Sequence, residues 1–239
     1  MILLYILVGL LTGSLLNWVA DYAPRFAASD AAAPRPSSPR PALAVWHLLK
    51  SLSSHAILMR LPATFWLSIA GELTAVLLFA YLGQRFGPSW KLLHLGAACS
   101  LFLLIALIDL RHRLVLNVLV YPAMGIAMIF HSAPPGRDTL VALLGGVFGL
   151  LPFLAAAWLK PEGLGAGDVK LAALIGLVVG FPLVVYALLV AVLAGGITTL
   201  FLLCTHRWNL KSTIPYAPFL CLGAVFSLVC APFFLILPH

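Results

Sequence analysis

Charge is scarce in this chain: of 239 residues only 9% are Asp, Glu, Lys or Arg, and just seven are acidic. A water-soluble domain devotes about a quarter of its residues to charge, so an ordinary solvated surface is excluded. Cysteine is almost as sparse. Cys99, Cys204, Cys221 and Cys230 stand singly in or beside apolar runs with no CxxC spacing, which excludes a disulfide framework and a cysteine zinc site and leaves buried small hydrophobes. HExxH and GxSxG are absent and the seven histidines are scattered, so the motif-borne zinc and serine hydrolases are excluded as well. The strict apolar–polar alternation of a membrane β-barrel is also missing.

What remains is apolar: 63% of the residues are hydrophobic. A helix needs roughly 20 apolar residues to cross a hydrocarbon core of about 30 Å. Runs of that kind lie near 2–22, 64–84, 92–109, 115–131, 139–158, 169–180, 183–204 and 216–237, the sixth being short. The pattern predicts an all-α polytopic membrane protein of about eight transmembrane helices. The first run has no basic residue before it and Arg25, Arg35 and Arg40 after it, so it reads as a retained span with its amino terminus outside. In that orientation eleven basic residues face the cytoplasm and three, Arg85, Lys91 and Arg137, face out, as the positive-inside rule requires of an even number of spans. The net charge of +7 therefore reports topology and contact with an anionic bilayer, and nucleic acid is not an expected partner.

Three regions follow: a first transmembrane helix over 1–22, a cytoplasmic loop over 23–62 and a transmembrane core over 63–239. The loop begins as a proline-rich linker with Pro34, Pro36, Pro39 and Pro41. It continues with Leu43, Trp46, Leu49 and Leu52 at helical spacing, predicting a short helix on the membrane surface. Gly9-x-x-x-Gly13 and the cluster Gly145, Gly146 and Gly149 mark helix faces that can pack closely, a packing role without chemistry.

With so few acids, their positions are informative, because an ionisable group at membrane depth costs several kcal/mol unless paired or hydrated. Asp30, Asp138 and Glu162 lie in connections. Asp109 ends the third run in LFLLIALIDLRHRL, and Asp168 begins the sixth in GLGAGDVKLA; both fall at the cytoplasmic boundary. Singly, Asp168 complements a helix dipole and Asp109 pairs with Arg111, Arg113 or His112. Together they suit a two-carboxylate catalyst, in which neighbouring acids share a proton, one deprotonating water while the other protonates the substrate. Gly163, Gly165 and Gly167 let the backbone turn tightly and clear space for a substrate; a phosphate loop is excluded by the missing strand and GK[ST] ending.

These residues resemble the GxGD membrane aspartic proteases, and within them the bacterial type IV prepilin peptidases. Five blocks match in order: Gly13-Ser14-Leu15-Leu16-Asn17; Arg60-Leu61-Pro62 with Gly71-Glu72-Leu73; Leu107-Ile108-Asp109-Leu110 with Pro122; Glu162 to Leu171 around Gly165-Ala166-Gly167-Asp168; and Ile214-Pro215-Tyr216-Ala217-Pro218-Phe219-Leu220, similar to IPFGPFL. The resemblance implies an inner-membrane endopeptidase with Asp109 and Asp168 catalytic and Gly165, Gly167, Lys170, Glu72 and Asn17 supporting the site or binding substrate. It implies prepilins or type II pseudopilins as substrates, cut at the cytoplasmic face after a short basic leader. Many members also methylate the new amino terminus with S-adenosylmethionine. Two departures bear on this chain. The family's long loop often carries two zinc-binding CxxC pairs, absent here, so no zinc is expected and S-adenosylmethionine is the cofactor only if methylation is retained. After the first aspartate, Arg111 stands where an acid is usual and Leu116-Asn117 replace Pro-Asp, which predicts a more basic surrounding for Asp109.

Two other readings are open. A related GxGD protease, such as a preflagellin peptidase, keeps the fold. A proton-coupled transporter would need acids strung through the bilayer, and only Glu72 is so placed.

Overall fold

The computed structural model describes residues 2–27, 63–132, 139–159, 165–204 and 215–234. Among them lie eight helices and no strand: α1 (Ile2–Ala27), α2 (Ala63–Phe86), α3 (Trp90–His112), α4 (Asn117–Ser132), α5 (Thr139–Leu159), α6 (Ala166–Val179), α7 (Leu183–Cys204) and α8 (Ala217–Phe234). Each coincides with one predicted apolar run. The chain is an all-α polytopic membrane protein. α1 outlasts its apolar run by five residues, to Ala27, because backbone hydrogen bonding does not stop where hydrophobicity does. Residues 23–27 of the predicted loop are therefore helical, whereas its residues 28–62, with the surface helix predicted near 43–52 and Arg60-Leu61-Pro62, lie outside the described residues, as do Glu162-Gly163-Leu164 and Ile214.

Five helices, α1, α2, α3, α5 and α7, are long and apolar enough to cross a bilayer; α4 and α8 are shorter apolar helices, and α6 has 14 residues. At 1.5 Å per residue α6 covers about 21 Å, less than the hydrocarbon thickness. Its surroundings account for that. Val169, Leu171, Ala172, Leu174, Ile175, Gly176, Val178 and Val179 are buried on every side of it, so other helices rather than lipid surround it.

The described residues pack as two units, Met1–His112 and Arg113–His239. In the first, α1, α2 and α3 pack on one another. α1 buries Tyr5, Gly9, Gly13, Leu16 and Ala20 on one stripe and leaves Leu3, Leu7, Leu11 and Leu15 exposed on another, the two-faced pattern of a helix between protein and lipid. A Cβ on Gly9 would stand 2.7 Å from Val76 Cα, and one on Gly13 would stand 2.9 Å from Glu72 Cα. The expected GxxxG packing face is therefore the α1–α2 contact.

In the second unit α6 is central, packed by α5, α4, α8 and α7. Gly145 and Gly149 of α5 lie against the backbone of Gly176 and Ala172 of α6, so closely that a Cβ at Gly145 or Gly149 would collide with a carbonyl oxygen. The glycine cluster read from the sequence is thus the α5–α6 seam. Gly180 ends α6 at φ 77, a conformation that favours glycine. Its N–H donates to the Gly176 carbonyl at 2.8 Å, and the next N–H, of Phe181, donates to Val141 of α5 at 3.0 Å. Ser227 of α8 donates to the Leu183 carbonyl of α7 at 3.0 Å, tying the last two helices together.

Candidate active site

The two candidate carboxylates belong to different units, and each has its own setting. Asp109 lies on the last turn of α3 in the first unit and is 6% exposed. The apolar residues before it bury α3: Leu107 packs so near α2 that a Cβ on Gly71 would stand 3.0 Å from it, and Leu104, Ile105 and Ile108 are buried beside it.

Around the same end of α3 a polar cluster occupies the interior of the first unit. Arg111 Nη1 forms an ion pair with Asp21 Oδ1 at 2.8 Å and donates to the Asn17 carbonyl at 3.0 Å. Its Nη2 donates to Ser68 Oγ at 3.1 Å and to the Asn17 side-chain oxygen. Asn17 Nδ2 donates to the Ser68 carbonyl at 2.9 Å and to Glu72 Oε1 at 3.4 Å. Glu72 is 1% exposed and meets a neighbouring helix's polar group, as a mid-span glutamate is expected to.

This arrangement corrects the expectation that Arg111 makes the surroundings of Asp109 more basic. The guanidinium is matched by Asp21 across a helix contact, a partner 90 residues away in the chain. Asp21 and Ser68 were not singled out from the sequence. Their signal was there: Asn17 with Asp21, and Ser68 with Glu72, are each four residues apart in otherwise apolar helices, hence on one helical face.

Asp168 stands in the first turn of α6. Gly165 is the N-cap residue, with φ −70 and ψ 143 and no side chain to cap the turn. The Asp168 N–H donates to the Gly165 carbonyl at 3.0 Å, and the Gly165 backbone hydrogen-bonds the Asp168 carboxylate in return. A carboxylate in that position meets the positive end of the helix dipole, as expected. A Cβ on Gly165 would find its nearest neighbour, Asp168 Oδ2, at 3.6 Å, so the position is open. Gly167 is different. A Cβ there would stand 2.9 Å from Val115 Cβ. Its missing side chain serves the contact with the α3–α4 connection rather than clearance for a substrate, correcting that part of the glycine reading.

Lys170, one turn into α6, donates to Asn117 Oδ1 of α4 at 3.1 Å and lies 5.2 Å from the ring centroid of Tyr121. Asn117 and Tyr121 are one turn apart on α4, so they hold the ammonium with one acceptor and one π face. Asn117 keeps the acceptor oxygen of the acid usual there but not its charge. Tyr216, just ahead of α8, lies within electrostatic reach of Asp168 and packs by its ring on Phe153 and Phe219, at 5.9 and 6.3 Å between centroids. The sequence offered one hint of it, a tyrosine where the similar IPFGPFL block has phenylalanine.

Residues 96–200, which include both aspartates, match the type IV leader peptidase family. Among curated proteins the chain is similar to a prepilin leader peptidase/N-methyltransferase of Pseudomonas aeruginosa, 28% identical over 95% of this chain and 90% of that one. It is also similar to one of Bacillus subtilis, 29% identical over 66% of this chain, and to one of Stutzerimonas stutzeri, 29% identical over 66%. The matched region spans 64% of the Bacillus protein and 56% of the Stutzerimonas protein. No solved structure matches.

Proposed function

Since this chain belongs to the type IV leader peptidase family, we propose that it removes the basic leader of type IV prepilins or type II pseudopilins at the cytoplasmic face of a bacterial inner membrane, with Asp109 and Asp168 as its two carboxylates. The observation that carries this reading is the family match across residues 96–200, because it contains both acids in the motifs that distinguish them, IDL and GAGD. Proteolysis by this route needs no resident metal. One carboxylate, ionised, takes a proton from water as the oxygen attacks the scissile carbonyl; the other, protonated, delivers its proton to the carbonyl oxygen. Collapse of the tetrahedral species then passes a proton to the leaving amine and restores the starting state.

The relay alternative is weakened by Glu72, the acid it would use, which is engaged by Asn17 inside the first unit. The test is direct. The purified full-length protein, reconstituted in lipid with a prepilin bearing its intact leader, converts the substrate to the shorter mature form; a substrate that stays full length beside a processing homologue as positive control refutes the reading.

Methylation is a separate activity carried in the relatives' names. S-adenosylmethionine would enter it as the methyl-donating second substrate. We propose that this chain, whose loop lacks the family's cysteine pairs, acts as peptidase only. Mass spectrometry of a mature pilin coexpressed with it then shows an unmodified amino terminus, and an added methyl group overturns that proposal while leaving the peptidase intact.

A further inference from the structure

Arg111 occupies a position at which the family pattern carries an acid, and its side chain is only 2% exposed. An arginine buried in a membrane protein needs its charge matched and its donors used, since an unpaired buried charge is strongly destabilising. Here both terminal nitrogens are engaged twice: Nη1 by Asp21 and the Asn17 carbonyl, Nη2 by Ser68 and the Asn17 side chain. The acceptors come from two helices, Asn17 and Asp21 from α1 and Ser68 from α2, and Asn17 is itself held by Ser68 and Glu72. These bonds join the end of α3 to α1 and α2, which suits the cluster to fixing helices.

Its geometric consequence falls on α3. Arg111 lies two residues beyond Asp109, and at about 100° per residue the two leave the helix on nearly opposite sides. Turning or sliding the last turn of α3 by one residue's rise, about 1.5 Å, would break the guanidinium contacts with α1 and α2 together. We propose that Arg111, seated on Asn17, Asp21 and Ser68, is a positioning residue that sets the rotation and height of the Asp109 carboxylate. The inference rests on Asp109 being catalytic. It also gives Asp21 a role, as the charge partner that lets the arginine be buried within the unit.

The test compares full-length wild type with Arg111→Gln, Arg111→Lys, Asp21→Asn, the double exchange Asp21→Arg/Arg111→Asp, and Asp109→Asn, each reconstituted in lipid and assayed for kcat, KM and thermal midpoint. A misplacement of order 1 Å costs about 100-fold in rate. Arg111→Gln is therefore expected to lower kcat by about 10- to 100-fold with KM little changed and beyond any loss of folded protein. Arg111→Lys recovers part of the rate, and the double exchange exceeds Arg111→Gln. A kcat loss that merely tracks the folded fraction, or an Arg111→Gln enzyme with wild-type kcat, overturns the proposal. Should Arg111→Gln fail to assemble, Asp21→Asn decides: a lowered kcat with unchanged KM supports positioning, and an unchanged kcat overturns it. Full activity in Asp109→Asn overturns the catalytic reading and this inference with it, whereas an inactive Asp109→Asn beside an unimpaired Arg111→Gln overturns this inference alone.

Discussion

Asp109→Asn and Asp168→Asn each lower leader cleavage by about 10²- to 10⁴-fold or more, the range expected when a general acid or base is removed, while the protein stays folded in the membrane. The two halves of that expectation have separate causes. Asparagine matches aspartate in shape but neither takes a proton from water nor delivers one, so the chemistry stops. Its neutral amide is less costly to bury than an ionised carboxylate, so Asp109→Asn does not threaten α3, where position 109 is 6% exposed. At Asp168 the loss is a first-turn carboxylate, worth about 0.3–1 kcal/mol against the helix dipole, too little to unfold the second unit. Membrane abundance measured beside prepilin processing separates the effects. Normal processing by either variant, in cells with no second peptidase, removes that residue from the mechanism.

Gly145→Ala is expected to damage the second unit more than any surface change, through one methyl group. On α5 a Cβ at position 145 would meet the Gly176 carbonyl oxygen and stand 2.8 Å from the Gly180 backbone, and a Cβ at position 176 would meet the Gly145 carbonyl oxygen in turn. Neither obstacle is a flexible side chain that can swing away, so α5 and α6 must separate. Overpacking typically costs about 1–3 kcal/mol, occasionally more, and a clash with backbone lies at or above the top of that range. Gly196→Ala on α7 is the control, since nothing lies within 4 Å of a Cβ there. Relieved of glycine's helix penalty of about 1 kcal/mol, it leaves the thermal midpoint in detergent unchanged or slightly raised. Equal midpoints for the two variants would show that the α5–α6 seam is not as tight as described. Because α6 carries Asp168 and Lys170, Gly145→Ala also depresses cleavage without touching either.

The sequence by itself determined the fold class and the positions of the eight helices among the described residues, because hydrophobic runs long enough for a bilayer have few other uses. It also singled out Asp109 and Asp168, since ionisable residues in so apolar a chain are rare enough to be noticed individually. Glu72 and Asn17 were named from the sequence, although not as partners of one another. What only the tertiary structure decided is which groups meet. Arg111, read along the chain, was a basic residue near Asp109; in the fold it is joined to Asp21, because ion pairing follows distance in space and α1 and α3 pack side by side. Gly167, read as room for a substrate, is filled by the approach of Val115. The sixth run was read only as short; the fold shows α6 enclosed, and a helix surrounded by other helices does not have to match the thickness of the lipid.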